Sequence, residues 1–203
     1  MAEAAVAALL LLGAPSALLL PAAPAAAQFT DGFNFLRAVR DRDVLKARSF
    51  LDKPGSVVVN SRDADSGDTA LHIVVRHRDT PWMGFLLQNG ADPNIRDRAG
   101  ETPLMLAART GFADGVRVML AVKADVDAPN SRGETPLMIA VFNRDANVAR
   151  LLLEAGANAD RPDNATGLTA REHAARDPRA GAVGRLLAEA ERRESRAVAG
   201  PQL

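Results

Sequence analysis

Short apolar clusters recur along the chain in pairs, and each pair is separated from the next by a polar, glycine-containing stretch. The first cluster of a pair occupies residues 70–75, 103–108 and 136–141, and the second lies at 85–87, 118–120 and 151–153. Each cluster has the length of a short helix, so each pair predicts one helix–turn–helix unit. The pattern as a whole predicts a series of similar units.

A Gly-x-Thr tripeptide precedes the first cluster and fixes the period of the repeat. It begins at Gly67, Gly100, Gly133 and Gly167, so the spacings are 33, 33 and 34 residues. Self-similarity at a period of this length is typical of repeat proteins. The threonine is suited to a helix start, because its hydroxyl accepts hydrogen bonds from backbone N–H groups that have no partner inside the helix.

A second recurring position lies just after the second cluster of each pair. Gly90 and Gly156 stand just past the predicted helices, where a left-handed backbone carries no penalty for glycine. Lys123 takes that place in the unit between them. We expect strain of about 1 kcal/mol at Lys123.

Taken together, these elements resemble the ankyrin repeat family, whose signature runs G-x-T-P-L-H-x-A-A, then L-L-L, then G-A-D-x-N. The resemblance implies an all-α repeat solenoid of about five stacked helix–turn–helix repeats joined by hairpin-like turns. The repeats fall at about 33–66, 67–99, 100–132, 133–166 and 167–195, within a repeat domain of residues 28–195. One extra residue is expected near 63–65 and another near Asp163.

The two ends depart from the repeat pattern. Residues 33–39 and 44–51 predict a first helix pair with a more polar outer face. At the other end, polar residues replace apolar ones at Arg171, Glu172, His173 and Arg185. Terminal repeats need such polar faces, because no neighbour covers them. Residues 196–203 have no period, and we expect a disordered C-terminal tail there.

The first 27 residues have the composition of a signal peptide. A run of 17 almost wholly apolar residues, 4–20, is followed by prolines and then by Ala25, Ala26 and Ala27. Small residues before a cleavage point are what signal peptidase accepts, so cleavage is predicted after Ala27. No Lys or Arg precedes the apolar run, which leaves open an uncleaved membrane anchor or a misassigned start. The mature chain is expected in the periplasm or secreted, with no membrane contact after cleavage.

Composition excludes several classes of function. The 25 basic and 25 acidic residues cancel, which argues against a nucleic-acid binder. The chain has no Cys, so it has no disulfide, no thiolate nucleophile and no cysteine-bound metal. It contains none of the common catalytic or nucleotide-binding motifs. We therefore expect a protein that is not an enzyme, with no cofactor and no metal.

Three histidines remain as candidates for chemistry. By the resemblance, His72 matches the histidine of the T-P-L-H element, which implies a structural hydrogen bond at a repeat junction. His173 is predicted to be a polar surface residue of the last repeat. His77 is predicted at the end of a first helix, where it is available to a partner.

The resemblance implies that a partner binds where hairpin tips and first-helix ends line a concave groove. The matching residues here, which we take as the candidate partner-binding set, are Arg76, His77, Arg98, Arg109, Thr110, Arg132, Phe142 and Asn143. Arginine and an exposed aromatic ring are typical interface anchors. The alternative is that surface arginines are simply common in this chain, and that Phe142 is partly buried. Trp82 is predicted to pack rather than to bind.

The sequence thus predicts an exported, monomeric scaffold that binds another protein. The alternative is a secreted effector that binds host proteins, and its destination would distinguish it. The partner itself is not identified, because groove residues vary while the repeat frame is constant.

Overall fold

The protein is described by a computed structural model over residues 25–199. Within that range it is built from helices, with no strand. Their bounds are α1 Ala25–Arg40, α2 Val44–Leu51, α3 Ala70–Arg76, α4 Thr80–Gln88, α5 Pro103–Arg109, α6 Ala113–Ala121, α7 Pro136–Phe142, α8 Ala146–Glu154, α9 Ala170–Arg176 and α10 Gly181–Ala199. Short 3-10 turns lie at Val58–Asn60 and Pro178–Ala180.

The helices form two rows. The first helices of successive repeats, α1, α3, α5, α7 and α9, pack side by side, and the second helices α4, α6, α8 and α10 form the other row. Each first helix also packs on the second helix of its own repeat. This arrangement confirms the predicted all-α solenoid of stacked helix pairs.

The core lies between the two rows and repeats with the sequence. Leu71, Leu104 and Leu137 occupy equivalent places in α3, α5 and α7 and are all buried. Met83 and Leu152, on second helices, are also fully buried. Each repeat therefore contributes the same apolar layer, and the layers merge into one continuous core.

The predicted helix caps are present. Thr102 and Thr135 accept hydrogen bonds from backbone N–H groups three residues later, at 3.3 Å in both helices. Gly90 and Gly156 have φ of +84° and +87°. Lys123 has φ of +58°, so a side chain with a Cβ occupies a left-handed position, as predicted.

The turns between repeats are hairpins that hydrogen-bond to one another. The backbone N–H groups of Arg98, Ser131 and Asn164 donate to carbonyls of the preceding hairpin at 3.0, 3.3 and 2.9 Å. Two hairpins close with a bond from Asp63 N to Asp68 O and from Asp163 N to Leu168 O. The two central hairpins are one residue shorter between the bonded groups. The two predicted extra residues are therefore accommodated in the first and last of these hairpins.

A second line of bonds joins the repeats after the second helices. Side-chain oxygens of Asn60, Asn94 and Asp127 accept from the backbone N–H of the following repeat, at 2.8, 2.8 and 2.9 Å. Because the accepting residue recurs once per repeat, this contact fixes the stacking register along the solenoid.

Helices lie across both of the expected end boundaries, at 27 and at 196, and those boundaries stay predictions. Helix α1 begins at Ala25, so the predicted cleavage point after Ala27 falls in its first turn, and most of the predicted signal peptide lies outside the described residues. Helix α10 runs to Ala199, past the expected start of the disordered tail at 196. Within α10, Arg193 and Glu189 lie one turn apart and form an ion pair at 2.8 Å, which stabilises the helix. Among residues 25–199, none of the helices combines the length and the hydropathy of a transmembrane segment.

The exposed residues of the first repeat are mostly polar, and four large apolar side chains are exposed among them. Phe33, Leu45 and Val57 are 61, 83 and 65% exposed. Arg40 pairs with Asp63 and Arg42 with Asp79, and both arginines stay exposed, so the polar face expected at this end is present with apolar side chains within it.

The prediction of a polar surface position for His173 was wrong. Its side chain is mostly covered, its Nε2 lies 2.7 Å from Asp163 Oδ2, and its ring stands edge-on to Phe142 at 4.8 Å. Arg171 is similarly covered, because it reaches Asp160 and the Leu187 carbonyl. Both side chains therefore connect the last repeat to the fourth repeat.

Candidate binding surface

The last residue of each first helix occupies an equivalent position in every repeat. These residues are Arg40, Arg76, Arg109, Phe142 and Arg176, the C-terminal residues of α1, α3, α5, α7 and α9. We call them the helix-end column. Because the first helices pack side by side, the column follows the length of the solenoid on one face.

Three arginines of the column are held by hairpin carboxylates. Arg76 makes two bonds to Asp68, at 3.3 and 3.1 Å, and Arg109 makes two bonds to Glu101. Arg40 donates to Asp63 at 2.5 Å. Asp68 and Glu101 are mostly buried while their arginines are half exposed, so each carboxylate anchors a guanidinium that still faces solvent.

This pairing leaves donors for a partner. A guanidinium has five N–H groups, and the two carboxylate contacts use only part of them. The pKa of Asp63 is held below its usual range by the Ser66 backbone N–H and by Arg40, so this carboxylate stays ionised at neutral pH. The arginines are therefore pre-ordered hydrogen-bond donors whose charge is locally balanced.

Phe142 interrupts the arginines of the column. Its ring is 41% exposed and packs edge-on against His173 of the next repeat. Glu134, the counterpart of the hairpin acids, binds Arg132 and Asn130 instead. The column thus presents one apolar position between the arginines of the third and fifth repeats.

The hairpin arginines lie beside the column. Arg98 donates to the Ala64 carbonyl of the preceding hairpin, and Arg132 contacts Glu134 at 2.7 Å. The hydrogen bond to Glu134 is the main cause that raises the pKa of Arg132. Both side chains therefore brace the hairpins and remain exposed at their tips.

The residues that directly follow the column residues in the sequence have a different role. The Thr110 hydroxyl donates to the Leu106 carbonyl at 3.0 Å, and the Asn143 amide donates to the Arg109 carbonyl at 2.8 Å. These two side chains stabilise helix ends and the junction between repeats. His77 is exposed at the end of α3.

Sequence reasoning placed Arg76, Arg109 and Phe142 in one set, and they lie together in the column. It missed Arg40 and Arg176, which belong to the same column. The signal that could have found Arg40 is its distance of three residues from the helix-capping Asp43, which matches the distance of Arg76 from Asp79. The sequence predicts the terminal repeats to be caps, so their equivalent positions do not enter the candidate set.

His72 has the structural place predicted for it. Its Nδ1 accepts from the Thr69 backbone N–H at 3.1 Å, and its Nε2 donates to the Glu101 carbonyl at 3.0 Å. Burial lowers its pKa, so the ring is neutral in the folded protein at neutral pH. His72 therefore ties the second repeat to the hairpin that anchors Arg109. Trp82 is also buried, as predicted, with its ring edge-on to Phe85.

Nothing in the described part of the chain gathers three or more potential metal ligands. Asp63, whose surrounding sequence superficially resembles a calcium loop, directs one carboxylate oxygen to the N–H groups of Asp65 and Ser66. The other oxygen accepts from Arg40. These contacts explain the acidic turn as a hairpin brace.

Comparison with known proteins agrees with this architecture. The family model of ankyrin repeats in three copies matches residues 35–130, 71–163 and 120–194. Curated proteins with similar segments include oxysterol-binding protein homolog 1 of Saccharomyces cerevisiae, 36% identical over 83 residues. Another is the human 2-5A-dependent ribonuclease, 35% identical over 81 residues. A third is protein phosphatase 1 regulatory subunit 12A of Mus musculus, 35% identical over 85 residues.

These similarities concern one part of each relative. The matched segments are 39, 40 and 41% of this chain but only 7, 11 and 8% of the three relatives. The relatives have different names and share the repeat region with this chain, so the similarity concerns the repeat architecture. With the family model matching residues 35–194, the chain belongs to the ankyrin repeat family.

Proposed function

We propose that this protein is exported and binds a partner protein in the groove lined by its first helices and hairpins. Ankyrin repeats generally mediate protein–protein interaction, and the fold is typically a non-catalytic module. The proposal adds the place of binding and the cell compartment.

The helix-end column carries the proposal. Arg76 and Arg109 are fixed in two-bond pairs with Asp68 and Glu101, so their side chains lose little conformational freedom when a partner arrives. Ordering a flexible side chain costs about 0.5–1.5 kcal/mol on binding, and this cost is largely met in the folded monomer. A rigid solenoid with pre-ordered donors is therefore suited to recognition.

The chemistry of the column indicates what it would contact. Phe142 offers an apolar ring, and Arg109 on the neighbouring repeat offers unused guanidinium donors. Aromatic and arginine side chains are enriched among residues that dominate binding energy. The preferred contact is an apolar side chain against Phe142, with carbonyl or carboxylate acceptors directed at the arginines.

Export is supported by the sequence of residues 1–27. The apolar run at 4–20 and the small residues before Gln28 are typical of a cleaved signal peptide. The lack of Cys suits an oxidising compartment, because the chain has no thiol to oxidise wrongly. The mature protein would act in the periplasm or outside the cell.

The test is cross-linked capture of the tagged full-length protein from fractionated cells that produce it. A groove variant, Arg109→Gln with Phe142→Ala, is compared with a matched outer variant, Arg150→Gln with Val122→Ala. Glutamine removes the charge and retains an amide donor, and Val122 is as exposed as Phe142, at 41%. Circular dichroism verifies that both variants are folded.

We expect one partner to be captured by the wild-type chain and the outer variant and lost in the groove variant. Capture that survives in the groove variant would contradict the proposed surface. Sequencing of the N-terminus of the captured chain tests export: a mature start at Gln28 in the periplasmic or secreted fraction is expected, and a full-length chain in the cytosol would contradict it.

A further inference from the structure

Helix α2 packs differently from the other second helices. It buries Ala47 alone, whereas α4, α6 and α8 each bury three residues. It packs on α1 and on the 3-10 turn at Val58–Asn60, and it has no contact with α4 comparable to those between later second helices. The row of second helices therefore begins in effect at α4, and no neighbouring second helix covers α2 at the end of the solenoid.

Exposed apolar residues concentrate at this end. Of the six large hydrophobic residues exposed in the described range, four belong to the first repeat: Phe33, Val44, Leu45 and Val57. We call these four the N-terminal apolar end. A terminal repeat is expected to be polar outside, and apolar side chains grouped at one end of a soluble chain mark an interaction surface.

Basic side chains accompany the N-terminal apolar end. Lys46 and Arg48 lie on α2 beside Leu45, are exposed, and have no ion-pair partner among the described residues. Lys53 lies over the Phe50 ring at 5.0 Å and bonds to Asp31. Residues 25–60 carry six Lys and Arg against four Asp. Exposed apolar side chains with adjacent cations are typical of surfaces that rest on anionic lipid.

The chain itself brings this end to a membrane. Leu20, the last residue of the apolar run, is five residues before Ala25, where α1 begins. Five extended residues span at most about 18 Å. While residues 4–20 are held in a bilayer, the first repeat is therefore confined to the bilayer surface, and no other repeat is brought so close.

We propose that the N-terminal apolar end contacts the surface of an anionic phospholipid bilayer. Leu45, Phe33 and Val57 enter the interfacial layer, and Lys46 and Arg48 lie at the anionic headgroups. This inference rests on the proposed export but not on the groove, and it replaces the expectation of no membrane contact after cleavage. A second copy of the chain is a poorer occupant, because a two-fold contact would bring the unpaired cations of both copies together.

The test uses a fluorescent label at single cysteines, since the chain has no native Cys. Ser49→Cys places the label on the exposed face of α2, one turn after Leu45, and Val122→Cys is the control at an exposed position of α6's C-cap. The full-length labelled chains are reconstituted into vesicles of phosphatidylglycerol with phosphatidylcholine, or of phosphatidylcholine alone. A nitroxide lipid in the vesicles reports proximity by quenching.

We expect a blue shift and quenching of the label at 49 in the anionic vesicles, and neither at 122. Adding Leu45→Glu should abolish the signal at 49. Because the core residues begin at Phe35, a chain that starts at Gln28 retains them, and circular dichroism verifies its fold. For that chain, Leu45→Glu should weaken vesicle partitioning about tenfold or more, while Val122→Glu should not.

Several results would overturn the proposal. A label at 49 that stays in water in anionic vesicles shows that the surface makes no contact. A label protected in buffer without vesicles shows that another occupant covers it: the preceding segment of the same chain if protection is independent of concentration, and a second copy if it is not. Equal signals in vesicles of phosphatidylcholine alone would show that the contact does not require anionic headgroups. Partner capture should be unchanged by Leu45→Glu, which separates this test from that of the groove.

Discussion

Replacing His72 by alanine tests how strongly adjacent repeats depend on one buried side chain. The ring is fully buried and joins the Thr69 backbone N–H, at 3.1 Å, to the Glu101 carbonyl, at 3.0 Å. Its removal leaves the buried Thr69 N–H without this partner, at a cost of about 1–3 kcal/mol. The emptied volume of the ring adds to the loss, while the Glu101 carbonyl keeps its bond from the Asp97 N–H at 2.8 Å. Water entering the vacated space would recover part of that cost. We therefore expect a loss of about 2–4 kcal/mol in the free energy of unfolding.

The assay is urea unfolding of the wild type, His72→Ala and the matched control His77→Ala. His77 is exposed in the same repeat, so its replacement should change stability by no more than about 0.5 kcal/mol. A loss below about 1 kcal/mol for His72→Ala would refute the reasoning, because it would mean that the Thr69 N–H finds another partner and the emptied volume closes at little cost.

The same residue gives a pH dependence with a defined sign. Burial lowers the pKa of His72 in the folded protein, so below about pH 6.5, the ordinary histidine value, the unfolded chain binds more protons than the folded one. The stabilising effect of the neutral ring is complete above that pH and decreases as the pH falls toward the folded pKa. His72→Gln should show a smaller loss of stability between pH 7 and 5 than the wild type. An equal loss in both would assign the pH dependence to other groups.

Three further changes test the backbone and the last repeat. Lys123→Gly should stabilise the protein by about 1 kcal/mol in urea unfolding, because φ is +58° there; a loss of stability would contradict the strain. Gly133→Ala should lower the melting temperature more than Gly156→Ala. Both glycines have positive φ, but of the two only Gly133 has backbone where the Cβ would lie, with Asn164 N at 2.6 Å. Equal effects would exclude a role for that contact. The Thr166 hydroxyl and N–H, and then His173, hold the pKa of Asp163 low, so this carboxylate stabilises the fold above about pH 4 and less as the pH falls further. Asp163→Asn should therefore be less stable than the wild type at pH 7, with a difference that narrows at pH 3; a constant difference would be the contrary result.

The repeat frame could be predicted because local chemistry determines it. The period of 33–34 residues, the capping threonines and the glycines after second helices all act within a few residues of their own position. The hairpin, helix pair and stacking order follow once those signals recur. His72 was placed for the same reason, because its position in the repeat defines its neighbours.

The surface contacts could not be predicted, because they join residues far apart in sequence. The pairing of Arg40 with Asp63 and the contact of His173 with Phe142 span 23 and 31 positions. Polar residues in the first repeat predicted a polar end, and most of its exposed residues are polar, but Leu45 and Val57 are exposed among them. Which of several polar residues faces solvent depends on the stacked neighbour, and composition does not contain that information.

The most direct test of the central claim is hydrogen–deuterium exchange of the protein with and without its captured partner. Binding in the groove predicts protection in the hairpins around Arg98 and Arg132 and at the ends of α3, α5 and α7. The second helices α6 and α8 should exchange as in the free protein. Protection confined to α6, α8 and α10, with the helix-end column unchanged, would contradict the account.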